Sequence, residues 1–434
     1  MNPENKTRTI KVDYLARVEG EGALYLKIQE GKLEEVQLKI FEPPRFFEGF
    51  LRGRHFSEAP DITARICGIC PIAYQMSAVH AIENAFNITI GGALRDLRRL
   101  VYCGEWISSH ALHIFMLHAP DFLGYESAIH MAKDFPEKVE QGLQLKKVGG
   151  MLMSLVGGRE IHPINIRVGD FYRAPSKQEL QTLVPALKQA REDALETVRW
   201  VSSFDFPDFE QHYTFISLRH ENEYPMNEGR IVSNHGLSIS ASEFDDYFEE
   251  IHVAHTNALH CVLKVDHHPY HVGPMARYAL NFDCLPEPIQ WEAKQAGLER
   301  ICRNPFKSII VRAIEVLYAC EEALRIIDTY TAPAVSFVEI EPKPAIGYAV
   351  TEAPRGILYH RYQIDGEGDI VDCDIIPPTS QNQKMIEEDL KQFVPRYLKL
   401  SDERLQWYAE QAIRNYDPCI SCATHFLELN FDRS

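Results

Sequence analysis

The chain has 434 residues, 45% of them hydrophobic and 25% charged, with 62 acidic residues against 45 basic ones and a formal net charge of −17. That length and composition belong to a globular protein with a sizeable core and exclude a disordered or fibrous chain. The acidic balance, without any run of Lys and Arg, argues against a nucleic-acid partner, because phosphate binding needs clustered cations; no stretch of about 18 apolar residues predicts a membrane span.

In chain order, the N-terminal Met1-Asn2-Pro3-Glu4-Asn5-Lys6-Thr7-Arg8 lacks the apolar core of a signal peptide and the twin Arg of an export signal, so a cytoplasmic location is expected. Ten cysteines in that compartment read as thiols and ligands rather than disulfides. Over 9–41, Leu24, Leu26 and Ile28, then Val36, Leu38 and Ile40, alternate on either side of Glu30-Gly31-Lys32, which predicts an antiparallel hairpin. Pro71 suits the first turn of a helix running to about Phe86, so Cys67 and Cys70 fall at a helix start, where amides and dipole favour thiolates. Helical patterns follow over 93–116 and 176–204, the latter opened by a Ser176/Glu179 capping box with Pro185 as a kink. Further helices are predicted over 287–302 and 306–330. Short strands and turns fill 335–378, with Arg355 on a loop, and two last helices lead to the C-terminus. The predicted fold is α+β and predominantly helical: one compact unit over 1–434, with a β-containing part (9–60), a mainly helical core (61–330) and a strand and loop region (331–434).

Two Cys-x-x-Cys pairs stand at opposite ends: Cys67-Gly-Ile-Cys70 and Cys419-Ile-Ser-Cys422. Such a pair sets two sulfurs on one face of a turn or helix start, within reach of one metal, and two pairs complete a four-thiolate shell. On spacing alone the readings are structural zinc, a redox pair or unpaired thiols, although the two pairs of a zinc ribbon usually lie close in sequence. The six other cysteines (Cys103, Cys261, Cys284, Cys302, Cys320, Cys373) are scattered and read as ordinary thiols.

The neighbours of those pairs, Arg65-Ile-Cys67-Gly-Ile-Cys70-Pro71 and Asp417-Pro-Cys419-Ile-Ser-Cys422-Ala-Thr-His425, together resemble the two metal-binding motifs of the [NiFe]-hydrogenase large, catalytic subunit. Five more stretches occur in the family's order. Arg17-Val18-Glu19-Gly20 looks like its RxEG element, and Pro43-Pro44-Arg45-Phe46-Phe47-Glu48 like its RGxE element. Val272-Gly273-Pro274-Met275-Ala276-Arg277 is similar to VGPLAR, Glu352-Ala353-Pro354-Arg355-Gly356 matches EAPRG, and Pro377-Pro378-Thr379-Ser380-Gln381-Asn382 is similar to VPSTWN. The middle and tail look most like the cytoplasmic, bidirectional NAD(P)-linked and sulfhydrogenase types. One departure is Tyr74, where many members carry His; a phenol donates a hydrogen bond but does not titrate near neutrality.

The resemblance implies the [NiFe]-hydrogenase large-subunit fold and a Ni-Fe(CO)(CN)2 centre that cleaves H2 heterolytically. Nickel would be held by Cys67, Cys70, Cys419 and Cys422, with Cys70 and Cys422 also bridging to iron. Arg355 and Thr379 would each hydrogen-bond a cyanide, and Glu19 would relay the proton beside Cys419. It further implies magnesium on Glu48, the Gln383 carbonyl and His425, and a tail of residues 426–434 that a maturation protease removes after nickel chaperones have acted. The chain carries no third cysteine cluster and no GxGxxG element, so a small subunit with iron-sulfur clusters and flavin/NAD(P)-binding subunits are implied as partners. Two alternatives are a non-redox, zinc-stabilised scaffold and a quinone-reductase-related subunit; the latter group lacks the four cysteines, all of which are present here.

Overall fold

The computed structural model describes residues 7–424, so His425 and the expected cleavable tail, 426–434, lie outside the described residues. The N-terminal alternation forms the expected hairpin: Gly22–Gln29 pairs antiparallel with Lys32–Ile40 around Glu30 and Gly31, both at positive φ (52° and 74°). Thr7–Val12 adds a third strand on the free side of Gly22–Gln29. Leu24, Leu26, Ile28, Val36, Leu38 and Ile40 are all buried, as alternation about a one-sided sheet requires.

The helical body is built on Pro71–Phe86, Gly92–Ala111, Pro136–Gly157, Val184–Val201 and Ser308–Thr329. Ser308–Thr329 is buried on nearly every face, as a central helix must be. The predicted 93–116 helix runs further: past Ala111 it widens into π-type turns over Leu112–His118 and returns to α over Ala119–Leu123. The predicted 176–204 helix is two helices. The Ser176/Glu179 capping box opens Lys177–Gln181, and Pro185 stands in the first turn of Val184–Val201; it starts a helix, where its missing N–H costs nothing, instead of kinking one. The predicted 287–302 helix ends at Gln295, just before Gly297 at φ 75°.

Pro136–Gly157 has no counterpart among the predicted elements, because it packs through glycine rather than through an apolar stripe. A Cβ on Gly149 would lie 2.4 Å from the Gly104 carbonyl oxygen of Gly92–Ala111, so the two backbones nearly touch. The short strands Ile216–Arg219, Arg230–Ser233, Ser238–Ile239, Phe248–Ile251 and His260–Leu263 are likewise absent from the sequence-based prediction; each spans four residues or fewer, too few to establish an alternation.

Over 335–378 the expected strands form an antiparallel sheet, Ala345–Ala353, Gly356–Ile364 and Ile370–Ile376. Its first strand lies on Pro71–Phe86 so closely that a Cβ on Gly347 would sit 2.0 Å from the Ala81 carbonyl oxygen. Arg355 occupies the tight turn between the first two strands. The two last helices are Pro378–Phe393 and Asp402–Arg414, and the second cysteine pair follows. Among the described residues no helix is long and apolar enough to cross a membrane.

Candidate metal centre

Cys70 is the N-cap of Pro71–Phe86, with Pro71 in the first turn. The preceding turn aims the Ile69 and Cys70 amides at Cys67 Sγ, at 3.3 and 3.4 Å. The second pair sits on a turn opened by Asp417 at φ 53°, and Cys422 N–H donates to the Cys419 carbonyl at 3.2 Å. The fold joins the two pairs. Cys67 Sγ lies 3.5 Å from Cys419 Sγ, and Cys419 Sγ 2.6 Å from Cys422 Sγ. One sulfur from each of Cys67, Cys419 and Cys422 lies within 4.8 Å of the others, and Cys70 makes side-chain contact with all three. All four are buried and none of the ten cysteines forms a disulfide. Thiol contacts from Cys419, Cys422 and Cys70 hold Cys67 well below its ordinary range, while burial pushes Cys419 and Cys422 up. One thiolate is thus readily formed in the metal-free cluster, and full ionisation of such a packed group requires a cation.

Around the sulfurs stand groups from distant parts of the chain. Glu19 Oε2 lies 3.1 Å from Cys419 Sγ and accepts the Ser421 N–H at 3.1 Å; Glu19 and Cys419 also form a parallel bridge. The Glu19 side chain is half-buried. Thr379, in the first turn of Pro378–Phe393, accepts the Cys419 N–H at 3.0 Å and keeps its own hydroxyl proton to donate. Arg355 is buried, donating from Nε to the Asp417 carbonyl at 2.7 Å and from Nη2 to Asp417 Oδ1 at 3.1 Å. Its Nη1 has no partner among the described residues. A buried cationic donor without an acceptor is rare, and the fields of Asp417, Cys419, Cys70 and Cys67 outweigh burial and keep the guanidinium charged. That spare N–H beside the thiols suits a small anionic acceptor such as a metal-bound cyanide. Tyr74, in the place of the usual His, is buried with its hydroxyl unpartnered among the described residues; burial and all four cysteines push its ionisation up. It therefore stays a neutral donor.

Two parts of this surround are invisible in sequence. Glu105, fully buried, accepts the Ile72 and Ala73 amides at 2.6 and 3.1 Å and so caps the helix that carries Cys70. Burial pushes its carboxyl up. A Glu inside a helical pattern reads as a solvated face, and only tertiary packing reveals the cap. The second part is the anchoring of Arg355. Arg277 takes Glu315 with Nε and Nη2, each at 2.8 Å, reaches Glu352 with Nη1 at 2.8 Å, and donates to the Ala353 and Pro354 carbonyls at 2.8 Å. It thereby fixes the turn on which Arg355 stands.

The expected magnesium ligands fare differently. Glu48 is buried in the short helix Phe47–Leu51 and accepts the Ile375 N–H at 3.0 Å. The Gln383 side chain donates to the Leu259 carbonyl at 3.1 Å. Its own carbonyl lies inside Pro378–Phe393, where the helix ladder already uses it. The residue that bonds Glu48 is Ile375, at the end of a strand. His425 lies outside the described residues.

Known proteins place this arrangement. The chain matches the family described as nickel-dependent hydrogenase over residues 45–149 and 264–425. It is 33% identical to the sulfhydrogenase 1 subunit alpha of Pyrococcus furiosus, covering 97% of this chain and 98% of that one, and 34% identical to the sulfhydrogenase 2 subunit alpha of the same organism, covering 97% and 100%. Among solved structures, an NAD+-reducing [NiFe]-hydrogenase in the H2-reduced state superposes with a TM-score of 0.88 at 26% identity, covering 97% of this chain and 100% of that one. With four buried thiols gathered from both ends of such a fold, the chain belongs to the nickel-dependent hydrogenase family, as a catalytic large subunit of the [NiFe] type.

Proposed function

We propose that Cys67, Cys70, Cys419 and Cys422 hold nickel, that Cys70 and Cys422 also bridge to an iron carrying CO and cyanide, and that Arg355 Nη1 and the Thr379 hydroxyl donate to the two cyanides. When bound, that centre supplies reversible, heterolytic cleavage of H2. Soft sulfur suits a nickel that changes oxidation state, and the observation that carries the reading is the unpaired Arg355 Nη1 beside four converging thiols. Glu19 Oε2, 3.1 Å from Cys419 Sγ, takes the proton from that sulfur; being half-buried, it hands the proton outward. Tyr74 adds a neutral donor near the sulfurs. Glu48 and His425 hold magnesium, with the Ile375 end of the neighbouring strand in place of Gln383.

The electrons leave to an iron-sulfur small subunit, then through flavin-bearing subunits to NAD(P), in a cytoplasmic hetero-oligomer. Support comes from the named relatives and from the scatter of the six remaining cysteines, which gather no third cluster. A maturation protease and nickel chaperones complete the partner set. The test is metal analysis and hydrogen uptake on protein purified with its native partners, offering NAD and NADP as acceptors. One nickel and one iron per chain with reduction of either nucleotide under H2 is the expected result; zinc alone in the thiol site and no uptake would sink the reading.

A further inference from the structure

We propose a second metal site in this chain, formed by His255, His260 and Glu387 and suited to a late divalent ion such as zinc. His255 Nε2 lies 2.7 Å from Glu387 Oε1, and one ligand atom from each of the three residues lies within 4.8 Å of the others. The two imidazole rings stand 5.9 Å apart at 80°, so they approach from different directions. His260 is only 2% exposed, yet its Nε2 has no partner among the described residues. A ring nitrogen left unpaired at that depth costs stability unless something accepts or donates there. Burial holds the His260 ring down, to about 4, so it is a neutral imidazole with a lone pair to give.

Two imidazoles and one carboxylate form a ligand set that suits zinc and its neighbours, with solvent in the fourth position, and do not suit magnesium, which selects oxygen. Tetrahedral zinc with bonds of 2.0–2.1 Å sets its ligand atoms about 3.3 Å apart. The His255–Glu387 contact would open slightly and the third ligand close in, adjustments that side-chain rotation supplies. Glu387 Oε1 also accepts the Leu38 N–H at 2.8 Å, the kind of outer bond that orients a ligating carboxylate. His255, with 17% of its side chain exposed, gives the ion a way in.

The site shares no ligand with the thiol centre. Glu387 lies eight residues beyond Thr379 on the same helix, about 12 Å along its axis. Its three ligands and Leu38 come from Pro378–Phe393, from the segment entering the strand His260–Leu263, and from the N-terminal sheet. A bound ion would therefore clamp the Thr379 helix to the segment that carries His255 and His260.

The test uses the native complex, given one equivalent of zinc per chain in metal-free buffer and then desalted. We expect one zinc per chain, a zinc-edge absorption spectrum with a nitrogen and oxygen shell at about 2.0–2.1 Å and no sulfur shell at about 2.3 Å. His260→Gln and, separately, the half-buried His255→Gln should weaken zinc retention at least about tenfold, while nickel, iron and hydrogen uptake remain and report an intact fold. The proposal is overturned if the wild-type complex retains no zinc, if its zinc is sulfur-bound, or if both variants fold and keep zinc as tightly as the wild type. Should either variant misfold, the wild-type occupancy and spectrum decide alone.

Discussion

A carboxylate at 3.1 Å from a thiol is within range of direct proton transfer, so the role of Glu19 can be separated from its structural one. Gln at that position keeps the size and can still accept the Ser421 amide, but it cannot pass a proton on. Glu19→Gln is expected to retain nickel, iron and the CO and cyanide infrared bands, yet to lose hydrogen-deuterium exchange by about 100-fold or more, the range that a positioned acid or base contributes. Wild-type isotope exchange in the metal-loaded variant would remove Glu19 from the proton path. At this scale the sequence carried the cysteines, Glu19, Thr379 and Arg355, because each lies in a short motif whose residue types match its chemistry. It did not carry Glu105, whose cap spans two helices, nor the Ile375 N–H on Glu48, because a motif's spacing does not reveal where a strand end meets a distant helix.

Between elements, the motifs around Val272 and Glu352 are two halves of one joint. Gly273, at φ 112°, presses on Arg355: a Cβ there would lie 2.6 Å from the Arg355 carbonyl oxygen. Gly356, at φ 137°, would meet Val272 Cγ2 at 2.6 Å. Only glycine adopts such angles freely and allows that approach. Gly273→Ala is therefore expected to destabilise by about 1–3 kcal/mol and to displace Arg355, read as loss of iron and of the cyanide bands; an alanine variant with unchanged infrared spectrum would show that the joint does not position Arg355. The buried charges of the joint give a pH signature. Glu315 takes Arg277 bidentately and is held down to about 2 against its burial, whereas Glu352, with a single bond from Arg277, is pushed up by burial to about 7. A folded pKa above the unfolded 4.5 means that the stability Glu352 contributes is complete below pH 4.5 and is lost as pH rises through 7. Glu352→Gln should remove a decline of about 1 to 3 kcal/mol over that interval, visible as a flatter denaturant midpoint between pH 5 and 7.5; identical pH profiles would show that Glu352 does not titrate there. The long, apolar-periodic helices were legible in sequence, as was the N-terminal hairpin. Pro136–Gly157 was not, because its contact with Gly92–Ala111 is made through glycine backbone, which leaves no hydrophobic pattern.

Across the whole molecule, the thiol centre closes the chain on itself. Protein contacts hold the second cysteine turn on two sides: on the N-terminal part through Ile420 N–H to the Glu19 carbonyl at 2.9 Å, Ser421 N–H to Glu19 Oε2, Ser421 Oγ to Glu42, and Arg45 to the Ser421 and Thr424 carbonyls, and on later elements through Cys419 N–H to Thr379 and Arg355 to Asp417. The first set joins residues 19–45 to 420–424, so its loop-closure entropy is large, and the four sulfurs cannot all ionise while packed together without a cation. Metal binding should thus supply much of the free energy that keeps this turn docked. Cys70→Ser, which removes a sulfur proposed to serve both metals, is expected to yield a folded chain lacking nickel and iron. Hydrogen exchange should then distinguish regions: the amides of Ile420, Ser421 and Cys422 should exchange faster by at least tenfold, about 1.4 kcal/mol of lost local stability, while those of Ser308–Thr329, buried far along the chain from either pair, keep their protection. Equal protection at 420–422 in the metal-free variant and the loaded complex would mean that protein contacts alone dock the turn; loss of protection throughout Ser308–Thr329 would mean that the centre stabilises the whole core instead of the joint between the chain's two ends.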